Sequence, residues 1–215
     1  AYNSITVQSG GTLLLQGDPL AGTTGAGVTL TVTSTVTVDA GGLITADQQG
    51  FAGQQGPARG WGEFGGNGAG ASHGAEGGHT WTGHGTPGQP YGQATQPLSL
   101  GSGAGSPVGS GGGAIHLDVG GAVAVNGTVS ARGSDAQYDF FSGNGGAAGG
   151  SIWIEAASLS GSGAIQANGG AGSGSAYWGV GGGGGGGRIA IDVGATTFSG
   201  SLTTYGGIVS AAGSG

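Results

Sequence analysis

The chain contains no cysteine, no methionine and no lysine, and its only basic side chains besides histidine are three arginines. Without cysteine there can be no disulfide framework and no thiolate-ligated zinc or iron–sulfur centre. With three cations against ten acidic residues and a formal charge of −7, little is available to neutralise phosphates, so nucleic acid is not an expected partner. Long apolar runs are missing too: none approaches the roughly 20 residues of a membrane helix. Charge of either sign is scarce, at 6% of residues, where about a quarter is ordinary. Absence of cysteine suits any compartment; combined with so weak a charge it places the expectation outside the cell. The opening AYNSITV, without methionine or leader, is what signal removal or excision from a longer chain would leave.

What fills the space is glycine, 60 of 215 residues. Its spacing is irregular, so the collagen triple helix, with glycine at every third position, is excluded.

The organising signal is a repeat. GGAIHLDV from Gly112, GGSIWIEA from Gly149 and GGRIAIDV from Gly186 align, with Ile115, Ile152 and Ile189 spaced 37 residues apart. Leu117, Ile154 and Ile191 keep that spacing, as do Asp118, Glu155 and Asp192. A second short apolar segment follows each copy: VNGTVSARG (125–133), LSGSGAIQANG (159–169) and FSGSLTTYG (198–206). A diverged copy occupies Val28–Asp47, and SGGTLLLQG (9–17) reads as a partial one. Apolar residues alternate with polar or small ones throughout, which is the period of a strand. Stacked copies would place like on like: Ile115 with Ile152 and Ile189, and Val129 with Ile165 and Leu202. The expected fold is therefore all-β, a single-domain parallel β-helix (β-solenoid) over 1–215. It would carry long glycine-rich loops, little or no α-helix, and a long glycine-rich insertion at 48–112.

The glycine-rich stretches would be flexible linkers by composition, but aromatic residues interrupt them. Trp61, Phe64, Trp81, Tyr91, Tyr138, Phe140, Phe141, Tyr177 and Trp178 suggest loops that pack, with glycine backbones lying close beside one another. Two roles suit these aromatics: clips that hold loops onto the scaffold, and rings that stack on a glycan or another surface.

Asp118, Glu155 and Asp192 should form an outward carboxylate ladder. Like charges on neighbouring strands repel, so relief is expected from solvent, from Arg188 or from a bound calcium ion, which takes several oxygen ligands. His73, Glu76, His79 and His84 form a second candidate metal set, since imidazole and carboxylate ligate transition metals; a polar solvated loop is the alternative. Thr29, Thr31, Thr33, Thr35 and Thr37 alternate along one segment, but His116, Trp153 and Ala190 at the matching positions break the array, and β-propensity accounts for it.

No catalysis is expected. Arg59, Arg132 and Arg188 are the only basic partners for acids spread one per copy, and glycine matches such as GNGGAAGG lack the lysine and helix of a phosphate loop. No cofactor is expected beyond the calcium option.

The copies, each joined to a G-x-apolar-x-x-x-G segment and a glycine run, resemble the glycine-rich β-helical repeats of large secreted bacterial surface proteins. The resemblance covers about residues 28–47 and 110–207. It implies an extracellular structural or adhesive role and carries over no catalytic residues. The glycine loops with aromatic tips are also similar to phage tail-tip adhesins built from polyglycine rods, which lack a 37-residue strand repeat. Neither NSITVQSGGTLLLQG nor YGGIVSAAGSG reads as the polar repeat that caps a stack, so the expected partner is another copy of the chain. Head-to-tail contact or strand complementation would build a fibre or surface layer, with glycan adhesion as the alternative function.

Overall fold

A computed structural model describes residues 1–62, 68–80, 85–137, 143–175 and 179–210. Thirteen strands and no helix lie among them, and hence no helix long and apolar enough to cross a membrane.

The long apolar–polar alternations form one five-stranded parallel sheet. Its strands are β1 (Tyr2–Val7), β3 (Val28–Val38), β5 (Ala114–Val125), β7 (Ser151–Ser160) and β11 (Arg188–Thr196), in that order. The short segments that follow the copies form a second parallel sheet. It runs from β2 (Thr12–Leu14) through β4 (Leu43–Thr45), β6 (Thr128–Ser130) and β8 (Ala164–Gln166) to β12 (Ser201–Thr203). A third sheet of three short strands joins β9 (Gly172–Ser175) to β10 (Gly179–Val180) in antiparallel fashion and to β13 (Val209–Ser210) in parallel.

Residues 37 apart are register partners. Ile152 pairs with Ile115 on one side and Ile189 on the other, and Ile154 pairs with Leu117 and Ile191 in the same way. In the second sheet Ile165 pairs with Val129 and Leu202. The inward residues of both sheets merge into one hydrophobic core. Val32, Val36 and Val38, then Ile115, Leu117 and Val123, then Ile152, Ile154 and Leu159 face Ile44, Val129 and Ile165. Burying a side chain of this size contributes about 1.5–3 kcal/mol, so the repeated apolar column is a large source of cohesion.

The parallel β-helix (β-solenoid) with long glycine-rich loops expected from the repeat requires correction. The strands lie in two separate five-stranded parallel sheets plus the small sheet containing an antiparallel pair. All-parallel pairing ordinarily belongs to α/β proteins, in which helices cover both faces of the sheet. Here glycine-rich backbone, not helix, packs beside the sheets. The spacing of 37 specifies which strands pair, but it is silent on the segments between them, and those segments build a layer of the fold instead of hanging from it.

Gly181–Gly187 runs through the middle of that layer, wholly buried, and is hydrogen-bonded on several sides. Gly182 N–H donates to the Gly68 carbonyl, while Gly146 donates to Gly182 (2.9 Å), Gly78 to Gly183 (2.7 Å) and Gly207 to Gly184 (2.7 Å). Gly184 N–H reaches the Gly170 carbonyl and Gly185 N–H that of Ala71, both at 2.8 Å. Buried peptide groups must find partners, and here they find them between segments far apart in sequence. A Cβ added at Gly70 would collide with the Gly183 carbonyl, and one at Gly182 with the Gly78 carbonyl. Side chains are absent because there is no room for them.

Candidate functional site

Successive outward residues of the first sheet form cross-strand rows. Thr29, His116, Trp153 and Ala190 occupy one, and Thr31, Asp118, Glu155 and Asp192 the next. His116 and Trp153 are stacked, with ring centroids 3.9 Å apart and planes 6° from parallel. The imidazole also bridges the rows: Nε2 lies 2.7 Å from Glu155 Oε2, and Nδ1 lies 3.3 Å from Thr29 Oγ1. Both rings are buried, and Trp153 Nε1 has no hydrogen-bond partner.

The carboxylate ladder is thus present as neighbouring positions, but its middle member turns to a histidine. Arg188, expected to relieve it, points elsewhere. Its Nε and Nη2 both donate to the Tyr91 carbonyl, at 3.2 and 3.0 Å. Among the described residues, no three His, Asp or Glu side chains gather in a way that would hold a metal ion.

The second metal set does not converge either. His73 is fully buried, its Nδ1 2.8 Å from the Gly149 carbonyl, and its Nε2 has no hydrogen-bond partner. Burial, the dominant cause, lowers its pKa to about 4; the Gly149 hydrogen bond opposes that shift and the nearby Arg188 charge adds to it. His79 and Glu76 instead form an exposed pair at 3.5 Å. His84 lies outside the described residues.

Tyr91 serves as a clip. Its hydroxyl donates to the Leu100 carbonyl at 2.5 Å and lies 2.9 Å from Ser102 Oγ, and its ring sits 4.9 Å from His73. Burial pushes its phenol pKa upward, partly offset by Ser102. Trp61 is different: it is 54% exposed, and the Arg59 guanidinium lies 5.4 Å from its ring centroid. Together with Gln54, Gly60, Gly62 and Gly105 they line a cleft of about 310 Å³. Phe64, Trp81, Tyr138, Phe140, Phe141, Tyr177 and Trp178 lie outside the described residues.

Sequence reasoning used His116 and Trp153 only as interruptions of a threonine array. The signal for their contact was available, because they are 37 apart and share a row. The pairing of Arg59 with Trp61 has no periodic signal and was missed.

The strand edges form a further surface. Both parallel sheets end together, with β1 and β2 at one end and β11 and β12 at the other. Tyr2 and Leu14 are exposed at the first end, and Leu202, Tyr205, Ile208 and Val209 at or beyond the second.

No protein-family model matches the chain, and no curated protein or solved structure matches it either.

Proposed function

We propose that the protein is a non-enzymatic structural subunit of an extracellular fibre or surface layer, whose copies join strand edge to strand edge. The observation that carries this reading is the common termination of the two parallel sheets. An edge strand offers unpaired backbone groups to another chain, and among the described residues each end has two such edge strands side by side. Because the end with β11 and β12 differs from the end with β1 and β2, contact between them is head-to-tail and continues as an open filament unless it closes. Exposed Leu202 and Ile208 add apolar surface to one side of that joint. The weak charge of the chain leaves little repulsion between copies. Each acidic residue of the ladder faces solvent or His116 in this reading, and none is assigned a chemical step.

Negative-stain microscopy and sedimentation velocity test it. Purified protein should give elongated particles that lengthen with concentration, and Leu202→Lys with Ile208→Lys should return monomers of unchanged circular dichroism. Compact monomers at every concentration would overturn it.

A second reading is favoured by one observation, the exposed indole of Trp61 beside a cleft. In that reading the protein grips a saccharide surface, since the C–H face of a sugar ring packs on an aromatic face.

A further inference from the structure

We infer that the cleft at Trp61 takes an acidic sugar, with Arg59 holding the sugar carboxylate; the inference rests on the saccharide-gripping reading and specifies its ligand. Three observations support it.

The first concerns where positive charge is accessible. Arg188 is tied to the Tyr91 carbonyl, and Arg132 carries a buried Nε without a partner. Arg59 is the exposed arginine, and its guanidinium makes no hydrogen bond among the described residues. In a chain of net charge −7, that makes the cleft a place where an anion meets an exposed, planar, bidentate donor.

The second is the pairing itself. A guanidinium lying over an indole is weakly hydrated and held in orientation, so less freedom is lost when a carboxylate docks on it. Trp61 keeps more than half its surface open even with Arg59 above it, which leaves apolar area for the ring of the same ligand. A ligand joining a carboxylate to a C–H face satisfies both residues, whereas a neutral sugar leaves Arg59 unused and a bare anion leaves the indole unused.

The third is that the walls are fixed. Trp61 N–H donates to the Thr86 carbonyl and its own carbonyl accepts from Ala69. Gln54 is anchored through its backbone N–H to Ala104 O at 2.8 Å and through Nε2 to Gly105 O at 3.2 Å. Among the described lining residues Gly60, Gly62 and Gly105 are glycines, so no side chain from those positions fills the space.

Calorimetric titration with trigalacturonic acid, and with its neutral methyl ester, tests the inference on the whole chain and on two variants, Arg59→Gln and Trp61→Ala. Both substitutions are at exposed positions, and circular dichroism checks that each variant is folded. The acid should bind wild type and weaken as salt rises. The ester and Arg59→Gln should each lose about tenfold or more in affinity, the loss expected for one charge-assisted contact, and Trp61→Ala should lose both ligands. Equal binding of acid and ester, with both abolished by Trp61→Ala, would overturn the acidic ligand and leave the saccharide reading standing. No binding of either ligand, or binding that neither substitution changes, would overturn both.

Discussion

His116 and Trp153, 37 residues apart in sequence, lie face to face with their ring centroids 3.9 Å apart, and the same imidazole reaches Glu155 at 2.7 Å. One side chain therefore ties three strands together, through Thr29 on β3, its own β5, and Trp153 with Glu155 on β7. Replacing His116 by Ala removes the stack, worth about 0.5–1.5 kcal/mol, and a hydrogen bond whose contribution is reduced by the partial exposure of Glu155. A loss of about 2 kcal/mol in urea unfolding is expected. Glu155→Gln keeps an acceptor and should lose less than half of that.

The apolar column gives a contrast between its centre and its edge. Ile152 is fully buried between two isoleucines, so Ile152→Ala should cost about 2–5 kcal/mol. Leu202, 51% exposed on the edge strand β12, should lose under about 1 kcal/mol as Leu202→Ala. Comparable losses at both positions in denaturant titration would contradict the placement of the core.

The glycine layer gives a sharper contrast. Gly182→Ala forces a methyl group into the carbonyl of Gly78, a backbone atom that cannot rotate away. Overpacking usually costs about 1–3 kcal/mol, and here the upper end or outright failure to fold is expected. Gly206 has its nearest would-be neighbour at 3.5 Å, so Gly206→Ala should be close to neutral. Soluble yield and thermal midpoint, measured side by side, distinguish the two.

Stability should decline with acid because of His73. Its folded pKa of about 4 lies below the unfolded value of 6.5. Above pH 6.5 the histidine is neutral in both states and the contribution is fully present. Between pH 6.5 and 4 the unfolded chain takes up a proton that the folded one refuses, so stability falls progressively, by about 3 kcal/mol in all. A pH series of urea midpoints on wild type and His73→Gln should show a slope in that window that the variant lacks.

The pairing of strands was legible from Ile115, Ile152 and Ile189 because a strand shifted by one residue would turn its entire apolar set outward, which makes the repeat a register code. The outward neighbours Asp118, Glu155 and Asp192 followed from the same code. The architecture as a whole did not. Gly172–Ser175 and Gly179–Val180 carry no strand signal, since glycine and serine have neither alternation nor β-propensity, so the third sheet was invisible. The fate of His73 was hidden for a related reason: it sits in a stretch whose composition is that of a solvated linker, and it is buried by segments distant in sequence, the Gly149 backbone and the Tyr91 ring among them. Arg188 looked like the partner of the acidic ladder because alternation puts it on the same face, on the strand of Asp192, yet its hydrogen-bond partner is 97 positions away in sequence.

The backbone-only layer around Gly181–Gly187 also shapes how the molecule responds to temperature. Peptide amides are what that layer removes from water, and their exposure lowers the heat capacity of the unfolded chain, opposite to hydrocarbon. Per residue, calorimetry should thus find an unusually small heat-capacity increment on melting. The stability curve would be broad and shallow, holding the fold across a wide span of temperatures and delaying denaturation in the cold.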